Sequence, residues 1–87
     1  MSEPSESLLK FPTDVPVKVF GRNEHAFRSA AIEIVRAHYG ERHTVVEQLS
    51  RKGNYLSLTI TVRAESRAQI DAMYEDLVAH DDIIMVI

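Results

Sequence analysis

The chain has 87 residues, 45% hydrophobic and 26% charged, with a net charge of −3 and no cysteine. That length holds one domain and excludes two; the composition excludes a disordered chain, and the missing cysteines exclude disulfide bridges and thiolate metal sites. No run approaches the ~18 consecutive apolar residues of a membrane span, and the start, Met1-Ser2-Glu3-Pro4-Ser5-Glu6-Ser7, has no basic or apolar signal region; a cytoplasmic protein without a membrane partner is expected.

Residues 1–7 read as a flexible tail, and 8–87 as a single domain. Leu8, Leu9 and Phe11 are too apolar for a tail and are expected to lie against the domain, where they could cover part of its open face. A first strand is predicted from about Val17 to Gly21, with Pro16 at its start because proline gives no amide to a ladder. Val17 and Val19 then point one way, Lys18 and Phe20 the other. Asn23 is the expected N-cap of a helix, with Glu24 suited to its positive end. Phe27, Ala30, Ala31, Ile34, Val35 and His38 form its apolar stripe, and Gly40 is placed to end it in a left-handed conformation.

A noisier strand follows over about His43–Arg51, where Glu47 breaks a face made by Val45 and Leu49. Gly53-Asn54 reads as a two-residue hairpin turn, since both residues tolerate positive φ. From Tyr55 to Ala64, Leu56, Leu58, Ile60 and Val62 alternate with polar residues, the mark of a strand buried on one face. Ser66 and Gln69 have capping-box spacing and are expected to satisfy each other's amides at the start of a second helix. Its stripe is Ile70, Met73, Tyr74 and Leu77, with Asp71, Glu75 and Asp76 facing water. Ile83–Ile87 is a last apolar strand. The order β-α-β-β-α-β, with two one-sided helices, predicts an α+β fold: a ferredoxin-like βαββαβ sandwich with two helices on one face of a four-stranded antiparallel sheet. Right-handed crossovers put the first and third strands in its centre.

The run from Ser50 to Val62, with its Lys52-Gly53-Asn54-Tyr55 hairpin and Ser/Thr alternation, resembles the YbeD-like family of small bacterial proteins. Phe11-Pro12, Lys18-Val19-Phe20-Gly21 and Met85-Val86-Ile87 add to the match, which covers about Leu8 to Ile87. The resemblance implies a ferredoxin-like fold similar to ACT regulatory domains and a cytosolic protein of unestablished role. It brings no catalytic residues. ACT domains bind amino acids with an acid and a glycine at the start of the first helix. Here Gly21 is present without the acid, and no glycine follows in the first helical turn, so amino-acid binding is not expected.

Catalysis needs a nucleophile or acid–base pair held by a base and an orienter. His25, His38, His43 and His80 form no His-x-x-x-His pair and have no fixed carboxylate partner in the sequence, so neither a metal site nor a cofactor is expected. Asp81-Asp82 with Glu75 and Asp76 lacks the glycine of a calcium loop. The positions where an RNA-recognition motif carries aromatics are held by Asn54, Leu56 and Thr59.

Charge is uneven: Lys18 to Lys52 has seven basic against four acidic residues, whereas Gly53 to Ile87 has two against six. Neither half has a dense basic stripe, so attraction to phosphate backbones is expected to be weak and nucleic acid is not the expected partner.

These residues favour a non-enzymatic regulatory or protein-interaction domain, binding itself or another protein through Phe20, Arg51, Lys52, Tyr55 and Thr59. Val46, with Ile84 or Val86, would share that open face. A small-ligand sensor, with an anion held by Arg22 and Asn23 at the start of the first helix, is one alternative. An RNA-binding domain, stacking bases on Phe20 and Tyr55, is the other.

Overall fold

Residues 10–87 are described by a computed structural model; the tail reading of residues 1–7 and the places of Leu8 and Leu9 lie outside the described residues. The chain runs β1 (Thr13–Arg22), α1 (His25–Tyr39), β2 (His43–Leu49), β3 (Tyr55–Ala64), α2 (Arg67–Ala79) and β4 (Ile83–Val86). The strands lie in the order β2-β3-β1-β4, all neighbours antiparallel. This is the ferredoxin-like arrangement, with the first and third strands central.

The alternation of β3 turns Leu56, Leu58, Ile60, Val62 and Ala64 inward, and Val17 and Val19 of β1 join them. Phe27, Ala31, Val35 and Tyr39 of α1 and Ile70, Met73 and Leu77 of α2 close over this face. Burying each large apolar side chain contributes about 1.5–3 kcal/mol, so these residues anchor both helices to one side of the sheet. Tyr39 takes the last buried place of α1, whereas Ala30, Ile34 and His38 lie partly exposed on the flank of the stripe.

β1 starts four residues earlier than its apolar pattern suggests, and Pro16 lies inside it, opposite Thr61. The Lys18 amide and carbonyl point toward the β4 side, where both bond Ile87. Two residues back, the Pro16 nitrogen points to the same side, past the last of the β1–β4 pairs, so no ladder bond is lost. At the opposite end Gly21 is required by packing: a Cβ there would overlap the Phe27 ring.

The N-cap of α1 differs from expectation, and that of α2 keeps Ser66 as its cap but lacks the reciprocal bond from Gln69. Glu24, in extended conformation and without a side-chain cap, precedes α1, while Asn23 is used elsewhere. At α2, the Ser66 hydroxyl accepts from the Gln69 amide at 3.2 Å. The Gln69 side chain accepts from Glu65, not Ser66, at 2.8 Å, and its amide donates to the His38 carbonyl at 3.3 Å. Gln69 therefore ties the two helices together as well as capping one. Gly40 ends α1 at φ 62° and ψ −131°, a positive φ outside the left-handed helical region, and donates to the Arg36 carbonyl at 2.7 Å.

Candidate functional site

With both helices on one face, the open face of the sheet is the candidate site, and the strand register fixes its layout. Alternation along β1 puts Lys18, Phe20 and Arg22 on it. Lys18 lies between Thr59 and Ile87, Phe20 between Ser57 and Met85, and Arg22 beside Tyr55. On the far side of β3, Val46 pairs with Thr59 and Gln48 with Ser57. Val46 (66% exposed), Ile87 (64%), Met85 (49%) and Tyr55 (47%) leave apolar surface in water on the same face as the half-buried Phe20.

Phe20, Tyr55 and Thr59 thus share one face, while Arg51 and Lys52 are exposed at the adjoining hairpin tip. Val86 packs against the core, and Ile84 sits where the β1–β4 register shifts between Phe20 and Gly21. Met85 and Ile87 therefore supply the β4 side of the face. Phe11 packs on the core cluster, so it does not cover the open face.

The hairpin is longer than a two-residue turn. Ser50 and Tyr55 close it: the Ser50 amide donates to the Tyr55 carbonyl at 2.9 Å, and the Tyr55 amide donates to the Ser50 hydroxyl at 3.0 Å. Inside, the Gly53 amide donates to the Ser50 carbonyl at 2.9 Å, and Gly53 takes φ 78°. Asn54 does not need positive φ. Asn23 clips this loop to the start of α1, its amide donating to the Asn54 carbonyl at 3.0 Å and its side chain to the Gly53 carbonyl at 3.1 Å.

Lys18, Phe20, Leu49, Ser50, Tyr55 and Ser57 are among the residues lining a hollow of about 240 Å³ beside the hairpin. The Arg22 guanidinium lies 5.9 Å from the centroid of the Tyr55 ring, a cation–π contact of about 0.5–1 kcal/mol at an exposed position. Arg22 is therefore engaged on the sheet and Asn23 on the hairpin, so the two side chains do not converge on the first turn of α1 as an anion site there would require.

A second hollow, of about 300 Å³, lies at the other end of the face among Asp14, Arg42, His43, Thr44, Thr61 and Arg63. Its cations are already matched, Arg63 with Asp14 at 3.3 Å and Arg42 with Glu65 at 3.0 Å.

Three of the four histidines, His38, His43 and His80, have hydrogen-bond partners within the chain. His38 does have a carboxylate, against expectation: its Nε2 lies 2.7 Å from Asp76 Oδ2, joining α1 to α2. His43 Nδ1 lies 3.0 Å from the Gly40 carbonyl, and His80 Nδ1 accepts from the Asp82 amide at 3.1 Å. Among the described residues no three His, Asp or Glu side chains are grouped to hold a metal ion, and no helix is long and apolar enough to cross a membrane.

Alternation along β1 made Lys18 and Phe20 neighbours on this face legible, but Lys18 went unremarked as a site residue. Met85 and Ile87 depend on the shifted β1–β4 register, which has no local sequence signal.

Comparison with known proteins gives the same outline. A solution structure of protein HP0495 from H. pylori matches all of this chain and 97% of its own, with a TM-score of 0.76 at 12% identity. Uncharacterized protein TM1266 from Thermotoga maritima matches over 85% of this chain and 92% of its own, with a TM-score of 0.66 at 10% identity. These likenesses concern the fold. A UPF0250 protein of Janthinobacterium sp. (strain Marseille) is 44% identical over 90% of this chain and 88% of its own length. A second, from Ralstonia nicotianae, is 41% identical over 97% and 89%. Residues 6–87 match the family described as "Protein of unknown function (DUF493)". With that match and these relatives, the chain belongs to the DUF493/UPF0250 family of small bacterial proteins, the YbeD-like family.

Proposed function

We propose that this protein is a non-enzymatic, cytoplasmic interaction module that docks another protein on the open face of its sheet. The observation that carries this reading is the apolar surface formed by Phe20, Tyr55, Val46, Met85 and Ile87, set among Ser57, Thr59 and the polar hairpin. Exposed aromatic and aliphatic groups gain when a partner removes them from water, and Tyr and Arg often supply much of the binding energy of such contacts. The polar groups between them then fix orientation. Arg51 and Lys52, at the rim, act mainly on association rate.

The test compares wild type with Tyr55→Ala and Thr59→Arg. Folding is followed by circular dichroism, and association by light scattering and by cross-linking in cell extract. Both variants are expected to stay folded, because their side chains point away from the core, and to lose the cross-linked partner. If both cross-link as wild type does, the open face is only a solvated surface and the reading fails.

A further inference from the structure

We propose that the partner's contribution to this face is an acidic segment carrying apolar anchors. This rests on the docking reading above and names the chemistry of what docks. The basis is how the cations are distributed. Arg28, Arg36, Arg42, Arg63 and Arg67 each lie within 3.5 Å of a carboxylate of the same chain. Among the described residues Lys18, Arg22, Arg51 and Lys52 have no such partner, and all four surround the Phe20–Tyr55 end of the open face. Among the described residues Lys10, before β1, also pairs with no carboxylate. Glu24, Asp81 and Asp82, the acids that flank this end in the chain, pair with none of the four.

The surface thus pairs an apolar centre with an unneutralised positive rim. An acidic residue beside a Leu, Phe or Met would meet both at once.

Two other occupants fit less well. In a two-fold dimer of these faces each cluster of cations would be brought into the same interface as its copy, and like charges there repel. A single-stranded nucleic acid needs ring faces for stacking. Here one face of Tyr55 is taken by Arg22, Phe20 is half-buried, and Val46, Met85 and Ile87 offer no ring. The chain's net charge of −3 also repels a long polyanion, whereas a short acidic segment can lie within the positive patch, on the scale of a Debye length of about 8 Å.

The experiment selects binders of the intact protein from a library of random displayed peptides, then measures the enriched peptides as synthetic probes by fluorescence anisotropy. Enrichment of Asp or Glu beside Leu, Phe, Met or Trp is expected. Binding should weaken by about tenfold in the double variant Arg51→Glu, Lys52→Glu and fall as salt is raised from ~0.1 to ~1 M. It should also fall in Tyr55→Ala, which changes no charge.

Peptides that lose binding in Tyr55→Ala but carry no acidic residues and ignore the charge reversal would overturn the acidic partner and leave the docking face standing. Peptides indifferent to both variants would remove both readings. A selection that converges on no sequence, or oligouridylate binding more tightly than every selected peptide, would overturn the proposal as well.

Discussion

Adding one methyl group at Gly21 probes the packing that holds α1 on the sheet. Gly21 is a β1 residue without positive φ, so alanine meets no backbone penalty there. Its Cβ would, however, come within 2.6 Å of three carbons of the Phe27 ring, where carbon atoms rest about 3.5–4.0 Å apart. The ring must therefore retreat by about 1 Å, and Phe27 is only 1% exposed, with core on every side. Overpacking of this kind costs about 1–3 kcal/mol, partly offset by the ~0.4–1 kcal/mol gained from a less flexible unfolded chain.

Gly21→Ala should thus lose about 1–2 kcal/mol net. For a domain of this size that lowers the melting temperature by roughly 5–15 °C, readable by circular dichroism alongside urea unfolding. The second arm is Phe27→Leu, which frees the space the methyl needs. The double variant should lose less than the sum of the singles by about 1 kcal/mol or more. An unchanged melting temperature for Gly21→Ala, or costs that add to within ~0.5 kcal/mol, would refute the overlap as the reason for glycine.

Two further predictions concern single positions. Gly53→Val should cost about 1–3 kcal/mol through φ alone, since nothing lies within 4 Å of a Cβ there; Gly53→Asn should cost clearly less, and equal melting temperatures for the two would argue against a backbone cause. The Tyr39 hydroxyl is buried with no hydrogen-bond partner, and burial raises its pKa above the usual 10.0. Stability from this group is therefore full below pH 10, where the unfolded tyrosine begins to ionise, and is lost as pH rises through the higher folded pKa. Tyr39→Phe should match or exceed wild-type stability at neutral pH by up to about 1 kcal/mol and lose less of it under alkaline titration; a large loss at neutral pH would show that the hydroxyl has a partner.

The β3 alternation and the apolar stripe of each helix made the fold legible, because both periodicities record burial directly. What the residues did not disclose depends on contacts between distant parts of the chain. Glu47 looked like noise in β2, yet it faces α1 and pairs with Arg28 at 2.9 Å, so the charge that broke the pattern is matched across the layer. Asn23 had the chemistry of a cap, but the hairpin competes for its amide and wins. Pro16 was set at a strand start by a rule that holds for paired edges, and it could move inside β1 only because β4 is short. The open face was legible in its β1 and β3 members, whose period is unbroken. Its β4 members were hidden by the register shift beside Gly21.

The clip between Asn23 and the hairpin bears on how firmly this surface can hold anything. A loop free at its tip must give up many conformations when it is captured, and ordering each long side chain there costs about 0.5–1.5 kcal/mol more. Two hydrogen bonds to the start of α1 remove much of the backbone's share beforehand, leaving mainly the Arg51 and Lys52 side chains to be ordered. The tip is thus presented as a fixed fork with two flexible prongs, an arrangement that favours long residence of a matching partner over rapid sampling of many.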